Sequence, residues 1–129
     1  MANGTIAFDT LQTSGQIDGT ARSIDTDFLL NGSSKAWLQH NTSHEIQDSF
    51  NFTSITDGGT GITNDATFTN VLASDNYAIS GLAGSTSNDD GFWAILAMAT
   101  TDFNVRCRTH NGNLNDSNNA SLKVHGELA

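Results

Sequence analysis

Proline is absent from this 129-residue chain, cysteine and tyrosine occur once each, and lysine plus arginine total 5 against 14 acidic residues. The shortage of cations, with a formal net charge of −9, argues against a non-specific nucleic-acid binder, which needs a cationic face to displace phosphate counterions. A lone cysteine, Cys107, excludes an internal disulfide framework. The longest apolar run, Phe92–Ala99, is far short of the ~20 residues a membrane-spanning helix needs, so no membrane insertion is expected. The opening Met1-Ala-Asn-Gly-Thr has neither the basic nor the apolar region of a secretory signal. The expectation is a product made in a cytoplasm that leaves, if it leaves, by another route.

What fills the space is neutral and polar. Glycine, serine, threonine and asparagine make up 55 of the 129 residues, while charged residues are 15%, well below the usual ~25%. Leucine, isoleucine, valine and phenylalanine total only 28, so the chain can build one core but has little to spare. A single domain spanning 1–129 is expected, supported by contact with copies of itself.

Helical periodicity is hard to find, whereas alternation of apolar and polar residues recurs. Strands are expected at Thr5–Leu11, at Asp27–Leu30 and Lys35–Leu38 around an Asn31-Gly32 turn, and at Glu45–Ile55 with Ile46, Phe50 and Phe52 on one face. Asp57–Gly61 reads as a turn, Phe68 lies in a threonine-rich strand, and Tyr77 and Ile79 alternate. Phe92–Thr100 reads as a buried strand, Phe103, Val105 and Cys107 alternate with Asn104, Arg106 and Arg108, and Leu122 and Val124 mark a last strand. Ser85–Gly91 and Thr109–Asn119 are polar loops. Short strands at 8–12-residue spacing predict an all-β fold, an antiparallel β-sandwich or barrel-like domain with long polar loops.

Chemistry is sparse. There is no Gly-x-Ser-x-Gly elbow and no glycine-rich phosphate loop, glutamate occurs only at 45 and 127, and the aspartates sit mostly in turns. The expectation is no enzyme, no catalytic residues and no cofactor. His40 and His44 are four apart in a segment that reads as strand and loop, which gives no metal site on one chain, although a symmetric oligomer would multiply the histidines. Aromatic rings beside amides and carboxylates suit sugars, because a ring stacks on the C–H face while the polar groups take hydroxyls. Trp93 beside Asp89 and Asp90, with Asn111, Asn113 and Asn115 in the long loop, forms the candidate receptor contact. Trp37, with Gln39 and Asn41 nearby, offers a second such face, but it is assigned with Phe50, Phe52, Phe68 and Tyr77 to the core or an oligomer interface, where large aromatics usually carry burial.

Several segments together resemble a family of bacteriophage tail-fibre and other virion surface proteins of the short marine-phage type. Gly4–Leu11 with Thr13–Ile17 is similar to its first strands, and Asn31-Gly-Ser-Ser-Lys-Ala-Trp37 to its Gly-Ser-x-Lys-Ala-Trp hallmark. Asp48-Ser-Phe-Asn51, Ser54-Ile-Thr-Asp57, Gly59-Thr-Gly61, Phe68-Thr69 and Asn76-Tyr-Ala78 follow in the family's order, and Leu122–Gly126 resembles its closing strand. The resemblance implies a virion structural protein on the tail or capsid surface. On that basis it is a tail-fibre or tail-tip subunit for host attachment, a homotrimer, with other virion proteins and host-surface glycan as partners. A capsid fibre or head decoration protein is the alternative.

Overall fold

The computed structural model describes residues 10–12, 23–26, 30, 32–84 and 91–129. Contacts divide the chain into two compact units, Met1–Ser33 and Ser34–Ala129. In the first, β1 (Thr10–Gln12) and β2 (Ser23–Asp25) pair antiparallel. Leu30 and Gly32 have helical backbone, not the strand and turn expected there. The Ser33 hydroxyl donates to the Leu30 carbonyl three residues back, a local bond that competes with strand pairing. Residues 27–29 and 31, like 5–9, lie outside the described residues.

The second unit is one antiparallel sheet of eight strands: β3 (Ala36–His40), β4 (Ile46–Phe50), β5 (Phe52–Asp57), β6 (Ile62–Phe68), β7 (Ala78–Ala83), β8 (Gly91–Met98), β9 (Asp102–Thr109) and β10 (Ala120–His125). Their order is β4-β3-β10-β7-β8-β9-β6-β5, so the two edge strands are neighbours in sequence. The sheet curls until those edges meet, giving a nearly closed barrel. The all-β, barrel-like expectation is therefore correct. β9 follows the period-2 rule throughout, with Phe103, Val105, Cys107 and Thr109 buried and the residues between them half-exposed. Ala36, Leu38, Phe52, Ala66, Phe68, Leu72, Tyr77, Leu122 and Val124 complete the core. Phe52, Phe68 and Phe103 form a mutual aromatic cluster with centroids 5.1 to 5.8 Å apart, and Tyr77 packs edge-on against Phe68.

Three expectations change. Glu45–Ile55 is not one strand, because Asn51 takes a φ of 60°, a left-handed conformation that asparagine tolerates better than other side-chain-bearing residues. That residue resets the alternation between β4 and β5, so Phe52 points inward while Phe50 is 54% exposed and outside the core. Trp37 lies between the buried Ala36 and Leu38 on β3 and therefore faces outward, half-buried. Phe92–Thr100 is not a buried strand either. β8 pairs with β9 along its length apart from a bulge at Leu96, but the pair recorded with β7 among the described residues is Ala83 with Gly91 alone. Ile95 sits opposite the fully buried Val105 on the inward face and is still 49% exposed, since β7 does not cover it.

Candidate functional site

The connections 41–45, 58–61 and 110–119, together with the ends of the Ala83–Gly91 connection, all gather at one end of the barrel. Beneath them lies a polar layer. The β3–β4 loop is clamped by Asn41, whose side-chain oxygen accepts from the Ser43 and Glu45 amides at 2.9 and 3.0 Å while its amide donates to Glu45 at 2.8 Å. The clamp holds His44 at a φ of 54° and folds its ring onto His40, centroids 5.1 Å apart. His40 is 1% exposed. Its Nδ1 is 2.9 Å from the Asn41 carbonyl, which can only accept, so Nδ1 carries the proton and Nε2 accepts from the Thr63 hydroxyl at 3.3 Å. Burial pushes the His40 pKa down, the Asn41 bond opposes this, and the neighbouring His44 adds to the lowering. Both ring nitrogens of His40 are thus engaged. No group of three or more metal-ligating side chains comes together among the described residues.

His44 Nδ1 stands 3.4 Å from Asp57 Oδ1 without hydrogen-bond geometry. Trp93 Nε1 and Thr109 Oγ1, on strands lining the same end, are also buried without a hydrogen-bond partner.

The candidate receptor contacts divide. Asp89 and Asp90 lie outside the described residues. Trp93 packs against the core with its ring edge-on to His40, centroids 6.0 Å apart, which engages the indole that was expected to stack on a ligand. Asn111 and Asn113 are exposed at the loop end. Asn115 is half-buried, and its amide donates to the Cys107 carbonyl at 3.2 Å.

The Trp37 region lies on the outer face, which excludes the core but not the oligomer interface of the expectation. On the outer face of β4-β3-β10, Trp37 stands opposite Phe50 on one side and Lys123 on the other, and Gln39 stands opposite Asp48 and Ser121. An aromatic pair is thereby framed by an amide, a carboxylate, an ammonium and a hydroxyl, all on one sheet face. The sequence offers Trp37 and Gln39 as a possible sugar face and groups Phe50 with the core or an oligomer interface. The missed signal was Asn51, an asparagine between two phenylalanines, where a left-handed residue inverts the pattern that follows.

No family model matches the chain, and no curated protein matches it. Among solved structures, the chain is similar to the phiAB6 tailspike, crystallised in complex with three-repeated oligosaccharides of Acinetobacter baumannii surface polysaccharide. The match has a TM-score of 0.54 at 16% sequence identity and covers 92% of this chain and 23% of the tailspike chain. At that identity the likeness is one of fold.

Proposed function

We propose that this chain is a bacteriophage virion subunit for attachment to the host surface, and that the outer face of β4-β3-β10 binds host-surface glycan. The observation that carries this reading is the placement of Trp37 and Phe50 side by side, framed by Gln39, Asp48, Ser121 and Lys123. Aromatic rings cover the apolar C–H face of a sugar, and the flanking groups both donate to and accept from its hydroxyls. Such a shallow face binds each sugar weakly, and attachment gains its strength from many copies acting together, where linkage raises avidity by ~10²–10⁴. The likeness in fold to part of a tailspike, and the resemblance of the ordered motifs to those of virion surface proteins, support the same reading. The role is binding, with no bond cleaved, in a homotrimer joined to other virion proteins on the tail.

The test uses the intact chain and purified host surface polysaccharide fragments. The double variant Trp37→Ala with Phe50→Ala is expected to keep the far-ultraviolet circular dichroism of the parent and to lose at least about tenfold in affinity. Virions carrying it should adsorb more slowly. Unchanged binding and adsorption in a folded double variant overturn the assignment.

A further inference from the structure

Among the described residues, an uncharged and largely unpaired seam lies between β7 and β8. These strands are neighbours in the sheet, but among the described residues their recorded pairing is confined to Ala83 and Gly91. Beyond that point β7 continues along Ile79–Leu82 and β8 along Phe92–Met98, each paired on its other side only. Neither strand, Ala78–Ala83 nor Gly91–Met98, contains a charged residue or a proline, the devices that natural proteins use to stop an open edge from pairing. The side chains there are apolar and open to solvent: Leu82 is 79% exposed, with Phe92, Ile95 and Leu96 near half.

Charge narrows the choice of partner. Arg106 and Arg108, two of the chain's 5 cations, share the outer face of β9 and stand opposite Ala94 and Phe92 of β8. The Arg106 Nε is buried without a hydrogen-bond partner, which costs free energy. A second copy, at a net charge of −9, offers exposed carboxylates such as Asp48, Asp57 and Asp65. Two net-acidic copies repel on the whole, and attract where one copy's carboxylate meets the guanidinium beside the other's uncharged seam.

We infer that the β7–β8 seam, with the adjoining Phe92–Arg106 face, is the surface through which one copy of this chain binds another. The incoming edge completes the backbone hydrogen bonds of β7 and β8, covers Leu82, Ile95 and Leu96, and brings a carboxylate to Arg106. This rests on the self-association reading above and is independent of glycan binding on the opposite strands of the sheet.

Sedimentation of the full chain from about 1 to about 100 µM reads the association directly. The wild type should form a discrete oligomer that weakens as salt is raised, because the Arg106 contact is electrostatic. Leu82→Asp with Ile95→Asp should shift it to monomer while the far-ultraviolet circular dichroism stays that of the parent, and Arg106→Glu should weaken it at least about tenfold. Hydrogen exchange on the wild type gives a second reading that needs no variant: amides of residues 79–82 and 92–98 should gain protection as concentration rises. A wild type that stays monomeric throughout overturns both the surface and the self-association reading. A stable oligomer whose exchange protection appears outside these strands, or which persists in the folded double variant, overturns the surface alone.

Discussion

The imidazole of His44 lies over that of His40, planes 22° from parallel and centroids 5.1 Å apart, at the loop end of the barrel. Two histidines in this contact cannot both carry charge cheaply, and His40 is buried among Thr63, Trp93 and the Asn41 carbonyl. The loop that inserts His44 holds it in a left-handed conformation that costs a non-glycine residue about 1–2 kcal/mol. Asn41 offsets this cost with its clamp on the loop amides.

That relationship predicts acid sensitivity. The folded-state pKa of His40 is below the free value of 6.5, so between the two values the unfolded chain binds more protons, and stability rises with pH across that interval. His40 therefore leaves stability intact above pH ~6.5 and subtracts from it as pH falls further. Thermal melts from pH 7.5 downward should show a falling midpoint before the carboxylates, with reference values near 4, begin to titrate. In His40→Gln, which keeps a polar group but cannot take a proton, that early fall should disappear. An identical profile in the variant would assign the sensitivity elsewhere.

Tyr77 acts at the opposite pole, in both senses. Its hydroxyl donates to the Ala99 and Asp102 carbonyls at 3.1 and 3.0 Å, tying the β8–β9 turn to the core. Burial pushes its pKa up to about 12, with the Ala99 bond opposing and the carboxylates of Asp102 and Asp75 assisting. The unfolded tyrosine ionises near pH 10, so stability is present below that pH and is lost as pH rises through about 12. Tyr77→Phe should cost about 1–2 kcal/mol at neutral pH and flatten the alkaline limb of the stability curve.

Asn51 closes the barrel. Its amide donates to the Lys35 and Asn70 carbonyls at 3.1 and 3.0 Å, and its side-chain oxygen accepts from the Asn70 amide at 2.6 Å. Asn51→Gly removes these bonds but keeps the left-handed backbone, whereas Asn51→Ala removes them and adds the strain. Both variants should be destabilised by at least about 2 kcal/mol, with Ala worse than Gly by about 1 kcal/mol. Equal losses in urea melts would show that the bonds alone matter.

The same residue shows what was legible in the sequence. Where alternation runs unbroken, as in Phe103–Thr109 and Leu122–Val124, burial matches the pattern residue by residue, because a pleated strand has no freedom to do otherwise. Parity fails wherever one residue leaves the β region, and Ser-Phe-Asn-Phe-Thr reads as a clean strand until Asn51 is known to be left-handed. The outer Trp37–Phe50 face was hidden by that one inversion. The exposure of β8 was hidden for a different reason: its composition fits a buried strand, and only the failure of β7 to pair along it leaves Ile95 and Leu96 in solvent. Whether two consecutive strands pair along their length or splay apart leaves no signal in either strand's composition.

The long loop between β9 and β10 offers the clearest divergence between composition and structure. Thr109–Asn119 is polar enough to pass for a disposable connection, and replacing Asn111–Asn119 by a short Gly/Ser turn would then cost no more than about 1 kcal/mol. The structure shows a fastened lobe. The Asn115 amide donates to the Cys107 carbonyl, Asp116 accepts from the Gly61 amide at 2.6 Å, the buried Ser117 hydroxyl donates to the Gly84 carbonyl at 2.8 Å, and Gly84 donates back to Asn119. Arg108 reaches the Gly112 carbonyl from the strand below. The fit is close enough that Gly61, at a φ of 68°, would bring a Cβ within 2.7 Å of the Asn115 amide and the Cys107 carbonyl. Losing several such bonds at about 0.5–1.5 kcal/mol each should destabilise the loop replacement by at least about 3 kcal/mol. Asn111→Ala and Asn113→Ala, exposed at the tip, should each stay within about 0.5 kcal/mol of the parent. These two point variants, not the excision, are therefore the fair probe of whether the loop touches the host. A fall in virion adsorption with unchanged melting would place a contact at the tip. A loop replacement that melts like the parent would show that the hydrogen-bonded lobe contributes nothing to stability.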